Sequence, residues 1–469
     1  MEGDIKSNKG IETIIFIILG VLISVFLSLI FFQSWKAGII ISLPVFFLFF
    51  LFKYGKLSLN IIIFLLLFCS ILCPPIRFDE SIPYIRPELI LILTSWLLFI
   101  LGVLAGGENI KLKWSPIYKW FFIFGGAILI SILWGWIFKG FSPVLRDFFE
   151  VAKLLEYFLI FALVAAIDIK KEDFKKYYIF IICLFLISAT FGLIQYLDLF
   201  HNFNESFIEY IAPKHLDEWL RHKRIVGTTG NPNEFGMLMV MASSLAFTGT
   251  LWNKRISLKI FSFLSFVILS FVIMLTLSRS ALIVFLISLV FISFFKYPKK
   301  FGLKGKLRLI FLIFPIMIIL GLILIQIAPP KIIMRITSAL NIETDVSFQN
   351  RLKIWKENLD IWKQSPIFGW GPGKDEMTTI VDNEWLLLLR RYGIVGVIIF
   401  IILFWNFYSG LNRIQRRVED NLFLEIFAIF LQVSLVSIAV YMIPAAFYHS
   451  LQLMPLLMTL LGLVYSQNN

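Results

Sequence analysis

Three arginines sit in polar breaks of an otherwise apolar chain: Arg224, Arg279 and Arg351. A guanidinium grips a phosphate or carboxylate through parallel N–H bonds that a lysine cannot reproduce. Arg224 opens the run Arg224-Ile225-Val226-Gly227-Thr228-Thr229-Gly230-Asn231-Pro232-Asn233. Gly227 and Gly230 permit positive φ and a close approach of backbone to a ligand. Pro232 pushes Asn231 to an extended conformation. That predicts Asn231 as an N-cap with Pro232 in the first helical position. Arg224 beside a helix start with free N–H groups, with Asn231 and Asn233 in it, is a candidate anion site. Plain capping at a membrane surface is the competing explanation. Arg279 lies in Thr276-Leu277-Ser278-Arg279-Ser280, a short turn between apolar runs. It reads as a phosphate grip or as a snorkelling side chain.

Arg351 opens an amphipathic segment whose stripe is Leu352, Trp355, Leu359 and Trp362. A Trp-rich helix of about 13 residues there suits an interface. Ser365 and Pro366 follow, then Gly369, Gly371 and Gly373, which turn the chain back. Asp382, Asn383 and Glu384 then arrive at the start of the next apolar run. A carboxylate held near arginines is a candidate base for a hydroxyl: Asp382 first, with Glu384 or Glu376 as alternatives. Asp382 reads equally well as a helix cap. Arg146, Glu150 and Lys153 share one face of the apolar run over Pro143–Ala166. They form the wall of a polar cavity or a charge-paired structural cluster. His449 reads as a histidine inside the last span, more suited to a hydrogen-bonded structural role than to catalysis.

The elements that must position these residues are membrane helices. The chain has 469 residues, 59% of them hydrophobic and 17% aromatic, with a mean hydropathy of +0.87. Many apolar runs reach the roughly 20 residues needed to cross a bilayer core. The expectation is an all-α, polytopic helical membrane protein of about 12–14 transmembrane helices with a large extracytoplasmic loop. Spans begin near Ile11, Gly38, Leu57, Glu88, Tyr118, Pro143, Tyr177, Asn233, Leu258, Arg279, Leu307, Glu384, Asn421 and Ala446. The organisation is N-terminal helices over 1–200, a first outer loop over 201–232, central helices over 233–328, the large loop over 329–383 and C-terminal helices over 384–469.

The net charge of +13 does not point to nucleic acid. Basic residues crowd alternate short linkers, such as Lys170, Lys171, Lys175 and Lys176, or Arg413, Arg416 and Arg417. The other short linkers carry only Lys36, Arg77, Arg86, Lys139 and Arg279. Positive charge marks the cytoplasmic side, so both termini are expected inside and both long loops outside. Cys69, Cys73 and Cys183 lie in apolar runs without metal-ligand spacing and read as small buried residues. No cofactor and no metal site is expected.

Together these motifs resemble the O-antigen ligase/polymerase family of bacterial envelope glycosyltransferases. The resemblance runs from Arg224 to Gly396. It covers Arg-x-x-Gly…Asn-Pro-Asn, the Ser-Arg-Ser turn, Arg351…Trp355 with Ser-Pro-Ile-Phe-Gly-Trp-Gly-Pro-Gly, and Asn383-Glu384-Trp385…Gly393-Ile394-Val395-Gly396. It implies a metal-independent, GT-C-like enzyme in the bacterial cytoplasmic (inner) membrane. The implied donor is an undecaprenyl-pyrophosphate-linked glycan, whose pyrophosphate Arg224, Arg279 and Arg351 would hold as leaving group. Implied partners are membrane lipids, a flippase and a chain-length regulator. Ligases of the family carry His where this chain has Asp382, just before Asn383. The departure favours a polymerase of lipid-linked repeat units over a ligase to lipid A-core, protein or wall polymer. A flippase of lipid-linked sugars is the reading from another class; the absence of an internal repeat speaks against it.

Overall fold

The computed structural model describes residues 60–74, 87–104, 115–296, 346–374, 377, 381–417 and 421–467. Among them are fourteen α-helices and no strand. They are α1 (Asn60–Leu72), α2 (Pro87–Leu104), α3 (Tyr118–Lys139), α4 (Leu145–Ala166), α5 (Phe174–Tyr196), α6 (His201–Ile211) and α7 (Leu216–His222). Then come α8 (Pro232–Trp252), α9 (Ile256–Leu275), α10 (Arg279–Phe291), α11 (Val346–Lys363), α12 (Glu384–Arg417), α13 (Leu422–Tyr441) and α14 (Leu453–Tyr465). Six of them are long and apolar enough to cross a membrane: α3, α5 with the turn before it, α8, α9, α12 and α13. The chain is an all-α polytopic membrane protein. The spans expected near Ile11, Gly38 and Leu307 lie outside the described residues, as does Glu376.

α8 is the central post, with 89% of its apolar window buried against 39% for α3. Its sequence explains the position. Lipid tails are as apolar as side chains, so helices associate in a bilayer by close packing of small residues. α8 supplies Gly236, Ala242, Ser243, Ser244, Ala246 and Gly249, all buried. Gly236 meets Ala281 of α10, and Gly249 meets Tyr178 of α5.

Successive long helices run antiparallel, which gathers the chemistry at one end. Gln452 donates to the Cys73 carbonyl, Glu384 N–H to the Met442 carbonyl and Arg224 to the Thr276 carbonyl. The starts of α8, α10, α12 and α14 therefore share an end with the close of α9 and α13. At the other end Asn421 and Gln467 donate to the carbonyls of Lys171 and Ile169.

α12 is broken at Gly393, whose φ of 64° and ψ of −170° are open to glycine. The glycine-rich segment 365–373 fills the break. Ile394 and Val395 N–H donate to the carbonyls of Pro366 and Ile367 at 2.9 and 3.2 Å. Trp370 and Gly371 N–H donate to the carbonyls of Arg390 and Arg391 at 3.0 and 2.9 Å. Ser131 of α3 donates to the Arg391 carbonyl and accepts from Gly371 N–H. So the run does more than turn the chain back over the surface: it is threaded between α3 and α12. Irregular backbone survives at such a site because protein partners satisfy its polar groups.

Three expected elements are corrected. The segment at Arg351 belongs to a longer helix, α11, which starts at Val346. Leu352 is exposed and Asn358 is buried, because Asn358 meets the buried Arg390 across the seam with α12. The last span begins at Leu453, so His449 lies in the turn before it rather than inside it. The stretch 201–230 is a folded cap built on Ile208, Ala212, Trp219 and Val226. Cys183 is exposed on the bundle surface, and Cys69 is buried.

Gly135 of α3 tests the threading. A Cβ there would sit 2.3 Å from the Trp370 carbonyl oxygen, whereas one at Gly126 meets nothing within 4 Å. Gly135→Ala is expected to lose about 1–3 kcal/mol, as overpacking against rigid backbone does. Gly126→Ala should leave the thermal unfolding midpoint of the detergent-purified protein within error of the parent.

Candidate functional site

Arg224 is held by the cap. Trp219, fully buried, donates to the Gln195 carbonyl at 3.0 Å. The Gln195 side chain accepts from Val226 and Gly227 N–H at 3.2 and 2.9 Å. Asp198 ties the cap's outer edge to Lys223 and His201, each at 2.8 Å. Desolvation raises the Asp198 pKa; its bonds to Lys223 and His201 outweigh that and hold it below the ordinary aspartate value. Arg224 then spends its guanidinium on Thr276 O (3.0 Å), Glu218 (2.7 Å) and Asn233 Oδ1 (3.1 Å).

The start of α8 corrects an expectation. Asn231 is the N-cap and Pro232 the first helical residue. Asn231 Oδ1 accepts from Asn233 and Glu234 N–H, and its backbone carbonyl accepts from Phe235 N–H. These N–H groups are satisfied, so the helix start is not the open anion site expected of it. Gly227 and Gly230 do have positive φ, but what approaches them is protein: the Phe235 ring and the Ile211 carbonyl. Gly369 and Gly371 likewise have positive φ and pack against Arg391 O and α3.

Arg279 stands exposed in the first turn of α10, which Ser278 caps by accepting from Ala281 N–H. Arg351 of α11 pairs with Asp382, Nε to Oδ2 at 3.1 Å. Asn383 caps α12, accepting from Leu386 N–H at 3.0 Å. Asp382 is thereby left outside the helix with Arg351 as its partner. Tyr441, fully buried at the end of α13, lies within electrostatic reach of Arg224, Arg351 and Glu234. The Tyr441 hydroxyl is buried without a hydrogen-bond partner. Glu234 accepts from Ser450, one residue past His449.

His449 joins this group to a second one. Its Nδ1 lies 2.6 Å from Glu384 Oε1, and its Nε2 lies 3.0 Å from Glu150 Oε2 and 2.9 Å from Arg391 Nη1. Glu150 also takes Lys374 Nζ at 2.7 Å and Arg391 at 3.4 Å. Lys153 faces the same carboxylates. An imidazole with a carboxylate at each nitrogen can take up a proton at one side and release it at the other.

Glu150, Lys153, Glu384 and His449 are thus brought together, while Arg146 is exposed and outside the cluster. Asp147 takes the inward position instead, accepting from Lys374 and Val144 N–H at 3.0 Å each. Arg391, Lys374, Glu234 and Tyr441 are the site residues that sequence reasoning passed over. Arg391 had a signal: a charge beside Gly393 in an apolar run. Among the described residues no three His, Cys, Asp or Glu side chains are grouped to hold a metal ion.

Residues 264–401 match the family model described as O-antigen ligase. The matched window runs from within α9 past the break in α12 and contains Arg279, Arg351, Asp382, Glu384 and Arg391. The match supports the O-antigen ligase/polymerase family. No curated protein matches the chain.

Glu150 should prove structural as well as chemical. Glu150→Ala leaves Lys374, Arg391 and His449 without their shared anion, and breaking a buried pair costs about 3–5 kcal/mol. The thermal midpoint should fall accordingly. Asp360→Ala, which removes an exposed partner of Lys363, should leave it unchanged.

Proposed function

We propose that the protein is a membrane glycosyltransferase that joins lipid-linked oligosaccharide repeat units into a bacterial surface polysaccharide. The donor is a glycan on a polyprenyl diphosphate, undecaprenyl in bacteria, and the reaction takes place at the outer face of the cytoplasmic membrane. One observation supports this above the others: the Arg351–Asp382 ion pair, just before the start of α12, lies inside the O-antigen ligase window.

The pair suggests how binding and chemistry are linked. A diphosphate offers Arg351 a stronger, doubly charged partner than one half-exposed carboxylate. As Arg351 turns to it, Asp382 is released as a base. The acceptor hydroxyl oxygen attacks the anomeric carbon and gives its proton to Asp382. The bond from that carbon to the phosphate oxygen breaks, and its electron pair leaves with the diphosphate. Arg351, Arg224 and Arg279 stabilise the charge that develops there, where preorganised donors count most. Glu384, two residues on, is bonded to His449, which is bonded in turn to Glu150, and these bonds hold the start of α12 beside Asp382. Lys374 and Arg391 offset the negative charge of Glu150.

A ligase reading remains beside the polymerase, favoured by the matched model's own description. The glycan ladder separates them. Deleting a polymerase leaves single repeats on the acceptor; deleting a ligase leaves none.

Arg351→Ala in nanodiscs with lipid-linked oligosaccharide should slow joining about 100-fold, the scale of losing one transition-state donor. Asp382→Asn should lower kcat by about 100-fold or more with a smaller change in KM. A protein that never joins glycans but loses lipid flipping in Arg351→Ala would sink the enzyme reading.

A further inference from the structure

Arg390 is 1% exposed, within the first two turns of α12 and facing α11. Its Nη1 donates to Asn358 Oδ1 at 2.8 Å. Its Nε is buried with no partner, and no carboxylate of a described residue lies within ion-pair distance. The acids of the neighbouring cluster are committed elsewhere: Glu150 to Lys374, Arg391 and His449, Glu384 to His449, Asp382 to Arg351. Arg391, the next residue along the chain, has a charge of the same sign.

α11 had acids to offer. Glu357 and Asp360 stand exposed, and the residue turned inward is the neutral amide Asn358. One turn earlier on α11, the buried Trp355 indole N–H is also without a partner. A buried cation left unpaired is costly, and an apolar side chain of similar length would avoid the cost. Unspent N–H donors around a guanidinium are the recognition chemistry of an oxyanion.

We infer that the seam between α11 and α12 is a second oxyanion site, in which Arg390 takes a carboxylate or phosphate group of the glycan substrate. The inference rests on the glycosyltransferase reading and narrows it: the substrate pair carries negative charge beyond the donor diphosphate at Arg351. Two sources share that chemistry, an acidic sugar within the repeat unit and a phosphate on the acceptor.

The test is anion binding by the full-length protein in zwitterionic nanodiscs. Inorganic phosphate and glucuronate serve as probes, read by calorimetry and by the shift in thermal midpoint, each measured also in the Arg351→Ala background, where the donor site does not contribute. At least one probe should bind in that background, and adding Arg390→Met should weaken that binding tenfold or more. Arg390→Met should also melt higher than the parent without probe, because it removes an unpaired buried charge, so misfolding cannot mimic the loss. Arg390→Lys, which keeps the charge and loses the fork, should bind with intermediate strength. Glucuronate as the stronger probe identifies an acidic sugar; phosphate identifies an acceptor phosphate. Equal binding by Arg351→Ala and by Arg351→Ala with Arg390→Met overturns the site, as does a parent that binds neither probe. Failure of the glycosyltransferase reading is a separate result: no joining by the parent, whatever the probes do.

Discussion

Four backbone hydrogen bonds across the break in α12 organise this molecule. They tie Pro366, Ile367, Trp370 and Gly371 to both sides of Gly393. Without them the carbonyl of Arg390 and the N–H groups of Ile394 and Val395 would be bare in an apolar bundle. Each bare group costs on the order of 1–3 kcal/mol. The same four bonds fix Arg390, Arg391 and Tyr392 just above the break, and bring Lys374 within 2.7 Å of Glu150. The polar cluster is therefore a consequence of how the backbone was satisfied, not an addition to it.

Charge balance is the second constraint. Glu150 is buried among Lys374, Arg391 and His449, and Glu384 is bonded to His449. In a low-dielectric interior an ion survives only with partners in good geometry. The neighbourhood nevertheless holds more cations than carboxylates, and the excess falls on Arg390. Arg224 and Arg351 differ from it, since each has a carboxylate that a stronger anion can displace.

Local features were legible in the sequence because local chemistry determines them. Asn231-Pro232 gave its cap, and the glycines of Gly369-Trp370-Gly371 took positive φ. Glu150 could be assigned to an inward charged face from spacing alone, although Arg146, assigned with it, is exposed. Its partners could not. Glu150 and His449 are 299 residues apart, and Glu384 and His449 are 65 apart. Nothing in a period of 3.6 reports which distant turn will supply a ligand. The face of α11 was misjudged for a related reason. Apolar residues there suggested one stripe, but the buried Arg390 turned Asn358 inward and left Leu352 exposed. The free N–H groups expected at α8 were absent because the cap that identified the helix also consumed them.

Gly393 divides α12 into two rods with different surroundings. Above it the helix is wedged among α3, α11 and the threaded segment. Below it Ile394, Ile398, Ile401 and Trp405 face outward, and Ile394–Arg417 alone is long enough to span a bilayer. A span answers a thicker or thinner membrane by changing its tilt. Here the lower rod packs its other face on α3, with Phe400 against Phe124 and Phe407 against Phe121, so one rod carries an outward apolar face and an inward aromatic one.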